Sequence, residues 1–148
     1  MNDISKLIQQ HLQTTEVMQL ATVRDGQPWC ATVHFVADNS LNIYWCSSPQ
    51  TRHSQEIRDD GRAAIAIAVK VEHPVIGVQM EGEATLVEDQ NEAAKAMEAY
   101  AAKHHRDTEW AARVARGEED WKLYRFTPRF AVLLDRSNPE HMQREWRP

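Results

Sequence analysis

The sequence predicts a mainly β fold with α-helices set in its connections, an antiparallel barrel of six to seven strands. Three observations carry this. Runs of β-branched, aromatic and alternating apolar residues recur with turn signals between them, as at Asp25-Gly26 and Asp38-Asn39-Ser40. Glycines 77 and 82 fall inside a long strand pattern, where glycine marks a bulge, a bend or a close backbone approach, and a small barrel needs such corners. The strands follow one another in hairpin order, which suits an antiparallel barrel rather than a doubly wound sheet.

In chain order, Ile4, Leu7, Ile8 and Leu12 stand at helical spacing and predict an amphipathic helix over Asp3 to Gln13. Val17 to Val23 reads as a strand, Asp25-Gly26 as a hairpin turn, and Pro28 to Ala37 and Leu41 to Cys46 as two more strands, the three forming an antiparallel meander. A helix follows, with Ser48 as its N-cap, Pro49 at its first position and Gly61 past its end.

Arg62 to Val71 is a strand with Ile65, Ile67 and Val69 on one face and small alanines on the other. Val75 to Val87 is the long strand with the two glycines. Asp89 followed by Glu92 resembles a capping box, and Ala93, Ala96, Met97, Tyr100 and Ala101 share the face of the helix behind it. His104 to Gly117 predicts a further short helix. Trp121 to Asp135 gives a strand broken near Thr127-Pro128. The polar tail, 136–148, carries a single Trp146 and suits either a loose segment or one docked on a partner subunit.

The 148 residues make one domain, with an N-terminal helical segment over 1–15. The net charge of −5 and the lack of a basic stripe argue against a nucleic-acid surface. No basic leader or long apolar run is present, so a soluble, cytoplasmic protein without membrane contact is expected. The two cysteines, Cys30 and Cys46, lie apart in apolar strand patterns and read as buried free thiols.

The stretch from Ser47 to Ile57 carries the chemistry. Arg52 and His53 place positive character at a helix N-terminus that is itself electropositive, which is mildly unfavourable unless an anion binds there. Backbone N–H groups, the hydroxyls of Ser47, Ser48 and Thr51, and an arginine are what a phosphate monoester needs. The same residues also fit a polar surface helix with a capped start.

With this layout, the chain resembles the pyridoxamine 5'-phosphate oxidase-like family of FMN-binding split β-barrels, and more narrowly its small bacterial members. The resemblance runs from about Val17 to Asp135. It rests on the order of MQLATVRDGQPW, IYWCSS, TRHSQEI, VQMEGEATLV and WKLYRFTPRFAVLLD rather than on any single motif. It implies that Ser47, Ser48, Thr51, Arg52 and His53 hold the FMN phosphate. It also implies that the backbone around Ala31, Thr32 and Val33 lies along the isoalloxazine ring, and that two barrels pair with each flavin at the dimer interface. FMN is the implied cofactor, with another flavin, haem or none as alternatives. The implied activity is that of a small oxidoreductase or flavin reductase on an unassigned small molecule; a non-catalytic flavin or haem carrier or sensor is the alternative.

The chain departs from the vitamin B6 enzymes at several positions. Ala31 and Val36 stand where basic residues are usual, His53 where a lysine is common, and Gly77 where a flavin-contacting glutamine is expected. His141-Met142-Gln143-Arg144 matches the family's basic C-terminal substrate segment poorly. These departures argue against oxidation of pyridoxamine phosphate.

Other candidates are weaker. Adjacent residues on a helix point about 100° apart, so His104 and His105 read as solvated surface rather than metal ligands, and no metal site is expected. His34 suits core or edge placement. His73 and His141 are the available axial candidates for haem. Trp29, Trp45 and Trp121 read as core or interface anchors, Trp45 standing close enough to the phosphate site to touch a flavin edge. No acid–base pair, and so no catalytic side chain, is marked.

Overall fold

The computed structural model describes residues 3–148, so the first two positions of the expected N-terminal segment lie outside the described residues. Helix α1 (Asp3–Gln13) has the predicted bounds and buries Ile8 and Leu12 completely. Strands β1 (Val17–Arg24) and β2 (Gln27–His34) form a hairpin. Asp25 and Gly26 close it with φ of 52° and 78°, the two-residue turn whose handedness matches strand twist.

The predicted meander ends there. At Phe35 the chain leaves β1, and β3 (Val36–Ala37) pairs instead with β4 (Ile43–Ser47), which pairs onward with β7 (Lys122–Asp135). Phe35, fully buried and with its N–H still donating to Glu16 O at 3.2 Å, marks the point where what reads in sequence as one strand divides.

Helix α2 (Arg52–Asp59) leads into β5 (Arg62–Lys70) and β6 (Ile76–Leu86). The strands follow the order β2-β1-β5-β6-β7-β4-β3, all antiparallel, and curl into a half-barrel. Inward residues such as Leu20, Ile65, Ile67, Val78 and Met80 alternate with outward Gln19, Ala64, Ala66 and Gln79, as the pleat requires. β2 is exposed on both faces over most of its length.

Gly82 meets the prediction of a close approach. A Cβ there would lie 2.1 Å from the Thr127 carbonyl oxygen. The backbone contact lets β7 run past Pro128 with a register shift rather than the predicted break. Gly77 has only ordinary contacts, 3.5 Å at the nearest.

Helices α3 (Gln90–His104) and α4 (Thr108–Ala115) cover a second core in which Met97 and Tyr100 pack with Tyr44 and Cys46. Asp89 caps α3 through Glu92 N at 2.8 Å, but the Glu92 carboxylate turns away to Arg125 and Tyr44 instead of closing the box. The tail is not loose: β8 (Gln143–Trp146) pairs with β7, and Trp146 is buried in the main core. No helix among the described residues is long and apolar enough to cross a membrane.

Candidate functional site

The end of β4, the turn after it and the start of α2 form one polar corner against β1 and β2. The helix starts later than the sequence predicts. Ser48, Pro49 and Gln50 make a turn in which Thr51 N donates to Ser48 O and Gln50 N to Ser48 Oγ. Thr51, not Ser48, is the N-cap, its Oγ1 accepting from Ser54 N at 3.3 Å. Pro49 fits a turn as readily as a first helical position, and the sequence does not distinguish the two.

Gln55 N bonds to Thr51 O, so the backbone N–H groups of Arg52 and His53 are the helix's open donors among the described residues. The turn folds back far enough to bring Ser47 Oγ within 2.8 Å of His53 Nε2. Both residues are buried. Burial lowers the His53 pKa and the Glu56 carboxylate only partly opposes this, so the imidazole is neutral near pH 7 and acts through hydrogen bonding rather than charge.

Arg52 is tied into a network that the sequence reading missed. Its Nε donates to Glu56 Oε2 at 2.8 Å, Glu56 Oε1 accepts from Thr22 Oγ1 at 2.9 Å, and its guanidinium carbon lies 4.2 Å from the Trp29 ring centroid. Glu56 is wholly buried, whereas the Arg52 side chain is 44% exposed. Burial alone would push the Glu56 carboxyl up. The bonds from Arg52 and Thr22, with the charges of Arg52 and Arg24, overcome it and hold Glu56 ionised below the ordinary glutamate range. The spacing of Arg52 and Glu56 at i,i+4 is a readable signal of the pair; the burial of Glu56 is not.

The other expected contacts divide. Ala31 and Val33 are partly buried and Thr32 is exposed on β2, where Thr32 Oγ1 donates to Gln19 Oε1 at 2.7 Å. Trp45 has no exposed surface and stacks on Tyr124 in the core, so the expected edge contact with a ligand is corrected. Trp29 and Trp121 are 40% and 48% exposed and are not core residues.

Cys30 is exposed rather than buried, because the edge strand has no covering layer. Cys46 is buried as expected, its thiol pushed up to about 12 by burial. His104 is not a solvated residue: its Nε2 lies 2.7 Å from Phe35 O, and its ring packs on Tyr100 and His34. His34, His73 and His141 are exposed. On the outward face, a cavity of about 430 Å³ is lined by Gln19, Cys30, Ala64, Ala66, Gln79 and Val132, among others.

Chemically, the corner offers a hydroxyl–imidazole pair, two open helix N–H groups and the Nη groups of Arg52, which make no hydrogen bond among the described residues. Each is a group of the kind a tetrahedral oxyanion bonds to. A neutral His53 and a charge-compensated Arg52 make the corner a polar site rather than a strongly cationic one.

Several solved structures share the fold. A general stress protein 26 from Bacillus anthracis is 16% identical with a TM-score of 0.72, over 99% of this chain and 100% of that one. A haem-binding protein from Mycobacterium smegmatis is 20% identical with a TM-score of 0.77, over 99% of this chain and 59% of that one. A general stress protein 26 relative of the pyridoxinephosphate oxidase family from Clostridium acetobutylicum is 11% identical with a TM-score of 0.66, over 97% of this chain and 94% of that one. No curated protein matches the chain in sequence. The profile of the pyridoxamine 5'-phosphate oxidase family matches residues 4–130, and the chain belongs to that family.

Proposed function

We propose that the chain binds FMN as a cytoplasmic homodimer and works as a small flavin-dependent oxidoreductase or flavin reductase. The observation that carries the reading is that the start of α2 holds both a Ser47–His53 pair at 2.8 Å and an Arg52 whose Nε is fixed on Glu56. Ser48 and Thr51 shape the turn that brings them together. In this reading the corner anchors the phosphate, and the exposed strand around Ala31, Thr32 and Val33 lies along the ring.

The flavin supplies hydride or electron transfer, while the protein supplies anchoring, orientation and control of access. A second barrel is proposed to cover the outward face, where Ala64, Ala66 and Ala68 leave room for close approach and Cys30 and Thr32 are exposed on β2. Pyridoxamine phosphate is not proposed as substrate, because Ala31 and Val36 stand where the vitamin B6 enzymes carry basic residues and His141-Met142-Gln143-Arg144 matches their substrate segment poorly.

The test is the visible spectrum of protein purified without added cofactor, followed by FMN titration and addition of reduced nicotinamide. Flavin bands that bleach and recover support the enzyme; a colourless protein that ignores FMN sinks the reading. A second reading, a non-catalytic carrier or sensor of flavin or haem, draws on the fold match to the mycobacterial haem-binding protein. Flavin bands that no reductant turns over, or a Soret band, would select it.

A further inference from the structure

We infer that Glu56 is a positioning residue for Arg52, fixing the guanidinium so that its Nη edge is the part offered to an anion. The inference rests on the anion-site reading above. Three elements meet here. Glu56 on α2 is fully buried and ionised, with the charges of Arg52 and Arg24 beside it. One carboxylate oxygen takes the Arg52 Nε–H and the other takes the Thr22 hydroxyl from β1. Trp29 on β2 supplies the flat surface against which the guanidinium lies.

An arginine left to itself on an exposed first helical turn samples many rotamers and loses that freedom when it grips a ligand. Here one side of the fork is already occupied and one face already covered. Four N–H donors remain on the two Nη groups, and the outer pair, one on each nitrogen, points in parallel, the arrangement that matches a phosphate edge. The buried carboxylate also balances the arginine's charge, so the fully enclosed end of the pair carries no uncompensated ion in the free protein. Thr22 in turn holds Glu56, since a carboxylate with one unsatisfied buried oxygen would turn or protonate.

The decisive comparison is FMN against riboflavin, which lacks the phosphate. Glu56→Gln keeps the size but removes the charge and one acceptor. It should fold by circular dichroism, bind FMN about tenfold more weakly, as expected for a disturbed charge-assisted contact, and bind riboflavin as the parent does. In an Arg52→Ala background it should have no further effect, because it acts only through Arg52. Thr22→Val should give a smaller loss with the same phosphate-only pattern, and it decides the matter should Glu56→Gln fail to fold. Equal losses for FMN and riboflavin, or unchanged FMN affinity in the folded variant, overturn the role.

A parent that takes up no FMN would sink the cofactor reading separately. The Arg52 Nε–H signal, assigned by its loss in Arg52→Lys, is then followed with inorganic phosphate. A shift in the parent that is absent in Glu56→Gln keeps the positioning role, and no shift in the parent overturns both.

Discussion

Ser47 Oγ and His53 Nε2 lie 2.8 Å apart although one ends a strand and the other sits in the first turn of a helix. The turn at Ser48 to Thr51 makes this possible, folding the chain back within four residues. The pair shares its corner with Arg52, and the two sides of the corner differ in kind. Arg52 is charged, whereas burial keeps His53 neutral near pH 7.

Arg52→Ala should therefore weaken FMN binding by about 1.5–3 kcal/mol, the range of a charge-assisted hydrogen bond. His53→Ala should weaken it less at pH 7.5, since only a neutral contact is lost. Flavin fluorescence titration measures both. Unchanged affinity in the arginine variant would place the phosphate elsewhere.

Stability should fall as the pH drops below about 6.5, where unfolded histidines take up protons. His11, His53 and His104 all have pKa values lowered by burial, so the native state resists the protons that the unfolded chain accepts. Their contribution is complete above the unfolded value and is lost between that value and each lowered native one. Glu56 and Asp135, held below the ordinary carboxylate range, add a further loss at lower pH. Thermal melts from pH 7.5 to 5 should show a declining midpoint, with a shallower slope in His104→Gln. A flat profile would contradict the burial of these rings.

The two strand glycines should separate sharply. At Gly82 an added Cβ meets Thr127 O at 2.1 Å and Pro128 Cα at 2.9 Å, both backbone. Gly82→Ala should destabilise by about 3 kcal/mol, the upper end of the usual cost of overpacking, because the strands must part. Gly77→Ala, with nothing nearer than 3.5 Å, should be neutral or stabilising by up to about 1 kcal/mol through the unfolded chain. Denaturant midpoints of the two variants decide it; similar midpoints would mean the close approach at Gly82 is not rigid.

That contrast also marks how far the sequence could be read. Period and turn chemistry are local, so α1 and the Asp25-Gly26 hairpin were legible, and Gly82 could be flagged as a corner. Pairing is not local. Nothing in Pro28 to Ala37 announces that Phe35 will be drawn into the core and that the next strand will join the opposite edge of the sheet. The tail misled for a similar reason: Trp146 is one apolar residue in a polar run, and its burial depends on β7 offering a free edge.

At the site, residue types pointed to an anion before any geometry did. The partners of Arg52 come from three elements, and only the i,i+4 glutamate was visible in the local pattern. Trp45 takes its expected place in the core but not its expected ligand contact, and Cys30 lies exposed, since strand composition does not say which strand lies open at an edge.

The open edge bears on assembly. β2 and the outward faces of β1, β5 and β6 carry Cys30, Ala64, Ala66 and Gln79 around a cavity of about 430 Å³, with no layer over them among the described residues. If a second copy covers this face, a long charged side chain placed there should break the pair without touching the core. Ala66 suits the purpose because its side chain is outward and exposed while its neighbours Ile65 and Ile67 are buried. Ala66→Arg should shift sedimentation from dimer to monomer while lowering the melting midpoint only by the lost association, which mass action makes concentration-dependent. The same variant should speed alkylation of Cys30, whereas Cys46, buried with its thiol pKa pushed up to about 12, should stay unreactive in both. A parent that sediments as a monomer at high micromolar concentration, or equal Cys30 labelling rates in parent and variant, would remove the dimer from the proposal and leave the corner at Arg52 to bind its anion within one chain.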